Sequence, residues 1–227
     1  MEEHRPGNAL RDVILGGQDG LVNALGIILG IYAAGGGTTI LIATVLAATF
    51  AESLSMGAVA YTSALAERDH YRSERKREEK EVEESPEKEK EEVRKIYAAK
   101  GFKGKVLEEI VETLSKDKKI WVDIMMAEEL HLAPINTRVV LKSSVIVTIA
   151  TTIGHLIPLV PFFFIAHEPA VVAAIIVTTI TLFAVGVYQA VTLVGSWWKQ
   201  GLRMVLIGLG AAFIGFLIAK LFHVTAG

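Results

Sequence analysis

The chain has 227 residues and no cysteine, and its 23 basic residues nearly balance 25 acidic ones for a net charge of -2. Disulfides, Cys-type zinc sites, iron–sulfur ligation and thiol nucleophiles are therefore excluded, leaving oxygen, imidazole and thioether ligands. The small net charge is uninformative about nucleic acid, and no nucleic-acid partner is expected.

Hydrophobic residues make up 52% and charged residues 21%, with a mean hydropathy of +0.44. The two classes are segregated: long uncharged stretches flank one block crowded with Glu, Lys and Arg. That pattern predicts an all-α polytopic membrane protein carrying one cytosolic helical insert. The first residues, MEEHRPGNALRD, lack the basic n-region, short apolar core and cleavage site of a signal peptide, and no targeting signal is expected.

Five apolar segments are long enough to cross a hydrocarbon core of about 30 Å. They fall near residues 13–34, 38–65, 139–166, 169–194 and 201–223. Domain boundaries follow: 1–65 holds the first two spans, 66–137 the insert, and 138–227 the last three spans. Gly35-Gly36-Gly37 punctuates the first pair, Glu168-Pro169 separates the third and fourth, and Trp197-Trp198-Lys199 is an expected interfacial anchor. Arg5 and Arg11, the insert, and Lys199 with Arg203 lie on one side. The opposite connections, around Gly36 and His167, carry no Lys or Arg. The positive-inside rule places the N-terminus and insert in the cytosol and the C-terminus outside or in a lumen.

On the first span Asp12, Asp19 and Asn23 share one helical face with Gly16, Gly26 and Gly30, a groove that another helix or an ion could approach. On the second, Glu52 and Met56 are one turn apart on a stripe with Thr44 and Ala48. Ionisable groups at membrane depth are costly unless they face water, an ion or a partner. Carboxylate oxygen beside thioether sulfur suits Fe(II) or Mn(II) better than Mg(II) or Ca(II). The plain readings are that Asp12 caps a helix at the interface and that Met56 packs. His155, in the third span, is open to three readings: proton carrier, ligand, or hydrogen-bonded structural histidine. Pro158 and Pro161 predict a kink or break beside it.

The insert reads as three helices and a further helical piece. The second span continues through residues 67–84; Ser85-Pro86 supplies an N-cap and first-turn proline for the next helix, which stops before Gly101. A third covers about 103–114, and the last piece covers 119–131. Ile96, Tyr97, Phe102, Val106, Ile110, Val111, Leu114 and Trp121 are available for its core, too few to predict stability in isolation. Glu78 and Glu81, then Glu89 and Glu92, repeat an i, i+3 spacing across the Ser85-Pro86 turn, and a hairpin would bring the pairs together. Met125, Met126, Glu128 and Glu129 follow on the last piece. Solvated Glu/Lys pairing explains the same periodicity without a metal. Glu67-x-x-His70 and Glu128-x-x-His131 have the spacing of di-iron carboxylate bundles, which leaves open a membrane-anchored metal-binding or ferroxidase protein.

Five features resemble the vacuolar iron transporter family: D-G-L-V-N at 19–23, E-S-L-S-M-G at 52–57, the charged hairpin, M-M-A-E-E-L at 125–130, and the G-x-x-x-P-x-x-P spacing from Gly154 to Pro161. The resemblance covers nearly the whole chain in order. It implies a non-enzymatic five-span homodimer exporting Fe(II), or Mn(II), from the cytosol in exchange for protons along a path at the two-fold interface. It places Asp19 and Met56 on that path, with Glu52 as the acidic residue of the same second-span motif; Asp12, at the interface, is added to the expected path on its position alone. It also implies that Glu78, Glu81, Glu89, Glu92, Met125 and Glu129, with Met126 adjacent, hold Fe(II), Mn(II) or Zn(II) as a bound or transported ion, with no permanent cofactor. The lipid bilayer, protons and the metal are the implied partners. His155 has no place in that pattern.

Overall fold

In a computed structural model, residues 7–192 and 195–225 are described, with side chains from Ala9 to Leu221 outside the 193–194 gap. Arg5, used for orientation, and Val194, the expected end of the fourth span, lie outside the described residues. The described residues form helices and short connections with no strand. The helices are α1 (Gly7–Ala33), α2 (Thr38–Glu84), α3 (Pro86–Ala99), α4 (Gly104–Ser115), α5 (Lys118–Ile124), α6 (Thr137–Leu159), α7 (His167–Thr192) and α8 (Trp197–Thr225). Five of these, α1, α2, α6, α7 and α8, are long and apolar enough to cross a membrane. Helices suit that role because every interior backbone N–H finds its acceptor inside the segment.

The chain divides into two compact units, Met1–Tyr61 with Leu141–Gly227, and Thr62–Val140. In the first, all five apolar helices contribute to one core. Leu25 and Ile28 of α1 meet Leu41 and Val45 of α2, Leu159 at the end of α6, Ala170 and Ala174 of α7, and Ala212 of α8. The outward surface keeps large apolar side chains such as Phe50, Leu54, Ile180 and Leu221 exposed, as a lipid-facing surface requires.

Close contact between α1 and α6 depends on glycine. A Cβ on Gly154 would come within 2.5 Å of the Gly17 carbonyl oxygen, and one on Gly16 within 2.6 Å of the Val147 oxygen. The glycine face foreseen on the first span is thus filled by helices: α6 lies against Gly16, and α8 lies near Gly26 and Gly30 through Ala212 and Ala219. The connection between α1 and α2 turns at Gly35, whose φ of 76° favours glycine. Pro158 is accommodated within α6, and Pro161 falls in a 3₁₀ turn over Val160–Phe163, so the expected break is a tight end to the helix.

The second unit has its own core, built from Val82, Val93, Leu107, Val111, Trp121, Val122, Met125 and Met126. Of the residues expected there, Val111 and Trp121 are buried, whereas Phe102 and Val106 are exposed. The amphipathic register of α4 turns Leu107 and Val111 inward and leaves Val106 on the polar side. Pro86 opens α3, but the Ser85 side chain makes no capping bond. The Ser85 carbonyl instead accepts from the Lys88 and Glu89 amides at 3.0 and 3.2 Å. Asp117 caps α5, its carboxylate accepting from the Lys119 and Ile120 amides. The last helical piece ends in a π-helical turn, Met125–Glu129, and both methionines on it are fully buried.

Candidate functional site

Glu52 stands at the centre of a polar cluster between the apolar helices. Asn23 Nδ2 of α1 donates to Glu52 Oε1. His155 Nε2 of α6 lies 2.9 Å from Glu52 Oε2. The other ring nitrogen, Nδ1, is 3.0 Å from the Thr151 carbonyl oxygen. A backbone carbonyl only accepts, so Nδ1 carries the hydrogen directed at Thr151. Nε2 then faces a carboxyl oxygen, and one further proton is needed between them. It sits on Nε2, giving imidazolium beside carboxylate, or on Glu52, giving a neutral acid that donates to Nε2. Asp19 also stands in side-chain hydrogen-bonding contact with Glu52 and in the field of His155.

Asn23 and Glu52 line a cleft of about 360 Å3 with Val22, Gly26, Ile27, Ala211 and Gly215 of α1 and α8. His155 is 0% exposed and is not among the lining residues. Met56, one turn beyond Glu52 on α2, is half-buried. Asp12 is bound away from this cluster: it accepts a hydrogen bond from Ser143 Oγ of α6.

The insert holds the second acidic group. Glu78 of α2 and Glu89 of α3 are 1% and 0% exposed, and Glu81 is half-buried beside them. Each of the three can offer one carboxylate oxygen, all within 4.8 Å of one another. Around an ion with metal–oxygen distances of about 2.1 Å, ligand oxygens lie at most about 4.2 Å apart, so modest contraction closes the site. Glu78 Oε2 and both oxygens of Glu89 are buried without a hydrogen-bond donor. Buried carboxylate oxygens left in that condition are expensive, which makes a cation or a proton the natural complement. Two cations flank the group: Arg77 donates to Glu78 Oε1 at 3.2 Å, and Lys88 Nζ lies 3.4 Å from Glu92 and 3.8 Å from Glu89.

Burial first, then the charges of Glu92 and Glu78, push the Glu89 carboxyl up to about 7. Glu129 is raised by partial burial and the same two neighbours, which places Glu92 and Glu129 in the field of this cluster. Met125 and Met126 sit in the apolar core of the insert, on the π-helical turn that packs against α3. Among the described residues, Glu78, Glu81 and Glu89 form a metal-capable group, while the Glu-x-x-His matches do not. Glu67, His70 and His131 are exposed, and Glu128 is paired with Lys100. A di-iron oxidase arrangement thus finds no geometric support.

What the sequence reading lacked was the partners. The sequence marks Asn23 as a polar residue on a helical face and His155 as a histidine without a place in the family pattern, and links neither to Glu52. The available signal was their isolation, each an uncompensated polar group in an apolar helix and hence in need of a bonding partner.

The sequence model of the VIT family matches residues 10–220. The chain is 33% identical over 215 residues to vacuolar iron transporter 1 of Arabidopsis thaliana, covering 94% of this chain and 86% of that protein. It is 34% identical over 215 residues to the vacuolar iron transporter of Centaurea cyanus, covering 94% and 88%. The vacuolar iron transporter of Plasmodium falciparum (isolate 3D7) is 31% identical over 219 residues, covering 92% and 80%.

Proposed function

The chain belongs to the VIT family, and from that premise we propose that it moves Fe(II), with Mn(II) as the second candidate cargo, out of the cytosol in exchange for protons. It is an integral membrane protein with five apolar helices, and its relatives are named as iron transporters. The observation that carries the finer reading is the 2.9 Å contact between the Glu52 carboxyl, which lines the cleft, and the buried ring of His155. A carboxyl lining a cleft between apolar helices, and bonded to a buried histidine, can hold either a proton or a metal ion, and a protonated acid is a poor ligand. Competition between the two at one carboxyl couples metal leaving to proton arrival.

In this scheme Glu78, Glu81 and Glu89, with Glu92, Glu129, Met125 and Met126, collect the ion on the cytosolic side and raise its concentration near the path. Zn(II) is a competent occupant of the same ligands. Asp19, Glu52 and Met56 then carry it through the spans, with Asp12 at the margin. The N-terminus and insert are cytosolic and the C-terminus outside or lumenal, as the distribution of Lys and Arg favours. Two copies assemble around the path.

The test is Fe(II) uptake into proteoliposomes under an imposed pH gradient, wild type against Asp19→Asn. Uptake that depends on the gradient and vanishes in a folded Asp19→Asn variant is the expected result. Normal flux in that variant would sink the scheme, and uptake indifferent to the gradient would replace antiport with a channel.

A further inference from the structure

We infer that His155 and Asn23 are positioning residues that together fix the Glu52 carboxyl at the cleft for an incoming divalent ion. The inference rests on the transport reading above and goes beyond it in naming what holds the carboxyl ready. Glutamate has three rotatable bonds, and on a bare helix its carboxyl would sample several rotamers. Here Asn23 Nδ2 of α1 reaches Oε1 and His155 Nε2 of α6 reaches Oε2, and the Asp19 carboxyl of α1 also contacts the Glu52 carboxyl. Each carboxylate oxygen keeps a second lone pair for another ligand.

The histidine cannot follow Glu52 if the carboxyl moves. Its ring is fully buried and tied at Nδ1 to the Thr151 carbonyl. Gly20 of α1 packs on it so closely that a Cβ there would come within 2.8 Å of Nδ1. His155 therefore reaches the cleft only through Glu52, which separates a positioning role from that of a ligand. Asn23 lines the cleft itself and clamps from the other side. A purely structural histidine needs only a partner for each nitrogen. This one is partnered with the carboxyl that faces the cleft, and a second helix secures the remaining oxygen of that same carboxyl.

The experiment uses the full chain in proteoliposomes, reading initial Fe(II) uptake against Fe(II) concentration. In parallel, the infrared carboxyl band of Glu52 is assigned by difference against Glu52→Gln. Loss of one hydrogen bond to a charged group predicts about a tenfold rise in KM for Asn23→Ala and for His155→Ala, with turnover far less affected. Both variants also shift the Glu52 band. His155→Gln, whose amide N–H can stand in for Nε2–H, returns KM to within about threefold of wild type. A Glu52 band and KM unmoved in Asn23→Ala, or a folded His155→Gln as impaired as His155→Ala, overturns the inference. If His155→Ala fails to fold, Asn23→Ala and His155→Gln decide it. A wild type that moves no Fe(II) defeats the transport reading instead, while the infrared band still tests the clamp.

Discussion

The two acidic groups of this protein are held in opposite ways. Among the apolar helices, each oxygen of Glu52 has a partner, one from Asn23 and one from His155. In the insert, Glu78 and Glu89 are fully buried where Glu52 is only partly so, yet three of their four oxygens have no donor. A carboxyl that already has partners is preorganised and loses little on meeting its ion. One whose buried oxygens lack donors, with Arg77 and Lys88 only at its edge, stays costly until a proton or a cation reaches those oxygens. The first arrangement suits a step that must be fast and reversible, and the second suits a store that fills when metal is present and takes up protons when it is not.

The sharpest way to break that contrast is to remove charge from each group in turn. Glu52→Gln keeps the side chain's size but removes the anion and turns one acceptor oxygen into an NH2 donor. Changing the outer partners of a metal ligand alone costs about 10–100-fold, so uptake by this variant is expected to fall by more than about 100-fold. Flux measured in proteoliposomes beside wild type checks it, and retained flux would show that the clamp holds a structural residue. The double change Glu78→Gln with Glu89→Gln is expected to weaken metal binding to the full chain by about 100-fold in titration calorimetry while uptake at high metal persists. Uptake lost as completely as in Glu52→Gln would erase the distinction between store and path.

Acidity sharpens the comparison further. The Glu89 carboxyl is pushed up to about 7 by burial and by Glu92 and Glu78. Metal affinity of the insert should therefore fall by roughly tenfold per pH unit below that value, as protons compete for the ligand. The same shift predicts a stability effect of definite sign. Folding with a raised carboxyl pKa binds extra protons between the unfolded value of 4.5 and the folded value of about 7. The metal-free protein then loses stability as pH rises through that window, and the loss is complete above it. Glu89→Gln should stabilise the metal-free protein at pH 8, on the order of 1–3 kcal/mol, and the gain should vanish below pH of about 4.5. Thermal melts at the two pH values decide this.

Most of the fold was legible because apolar length and turn chemistry are local. The second span running without a breaker into the charged block, the stop at Ser85-Pro86 and the piece starting near Lys119 all follow from residues adjacent in sequence. Periodicity also brought Glu78, Glu81 and Glu89 within reach of one another. What it could not supply were contacts between distant elements. Asp12 had a carboxylate's usual choice between cap and ion, and only the approach of α6 gives it Ser143. His155 lies 103 residues from Glu52, and nothing local in either segment encodes the pairing. Phe102 and Val106 stay out of the insert's core because register, not hydrophobicity alone, decides burial: α4 has room for one buried stripe, and Leu107 and Val111 fill it.

The smallest expected effect belongs to the rest of the insert's charges. Arg94 grips Glu108 with two nitrogens, at 2.8 and 2.9 Å, and holds that carboxyl below its usual range. By geometry this is a better ion pair than any contact Glu89 makes. Its groups nonetheless stand in solvent, where water competes for both partners, salt screens them, and fixing two long side chains costs entropy. Arg94→Gln is therefore expected to move the melting temperature by no more than about 2 °C, and by less at high salt, while metal binding stays as in wild type. A larger shift, or weakened metal binding, would mean that the exposed charges of α3 and α4 act together with the buried carboxylates. If the shift is small, burial and not the number of charges is what sets Glu78 and Glu89 apart from the glutamates around them.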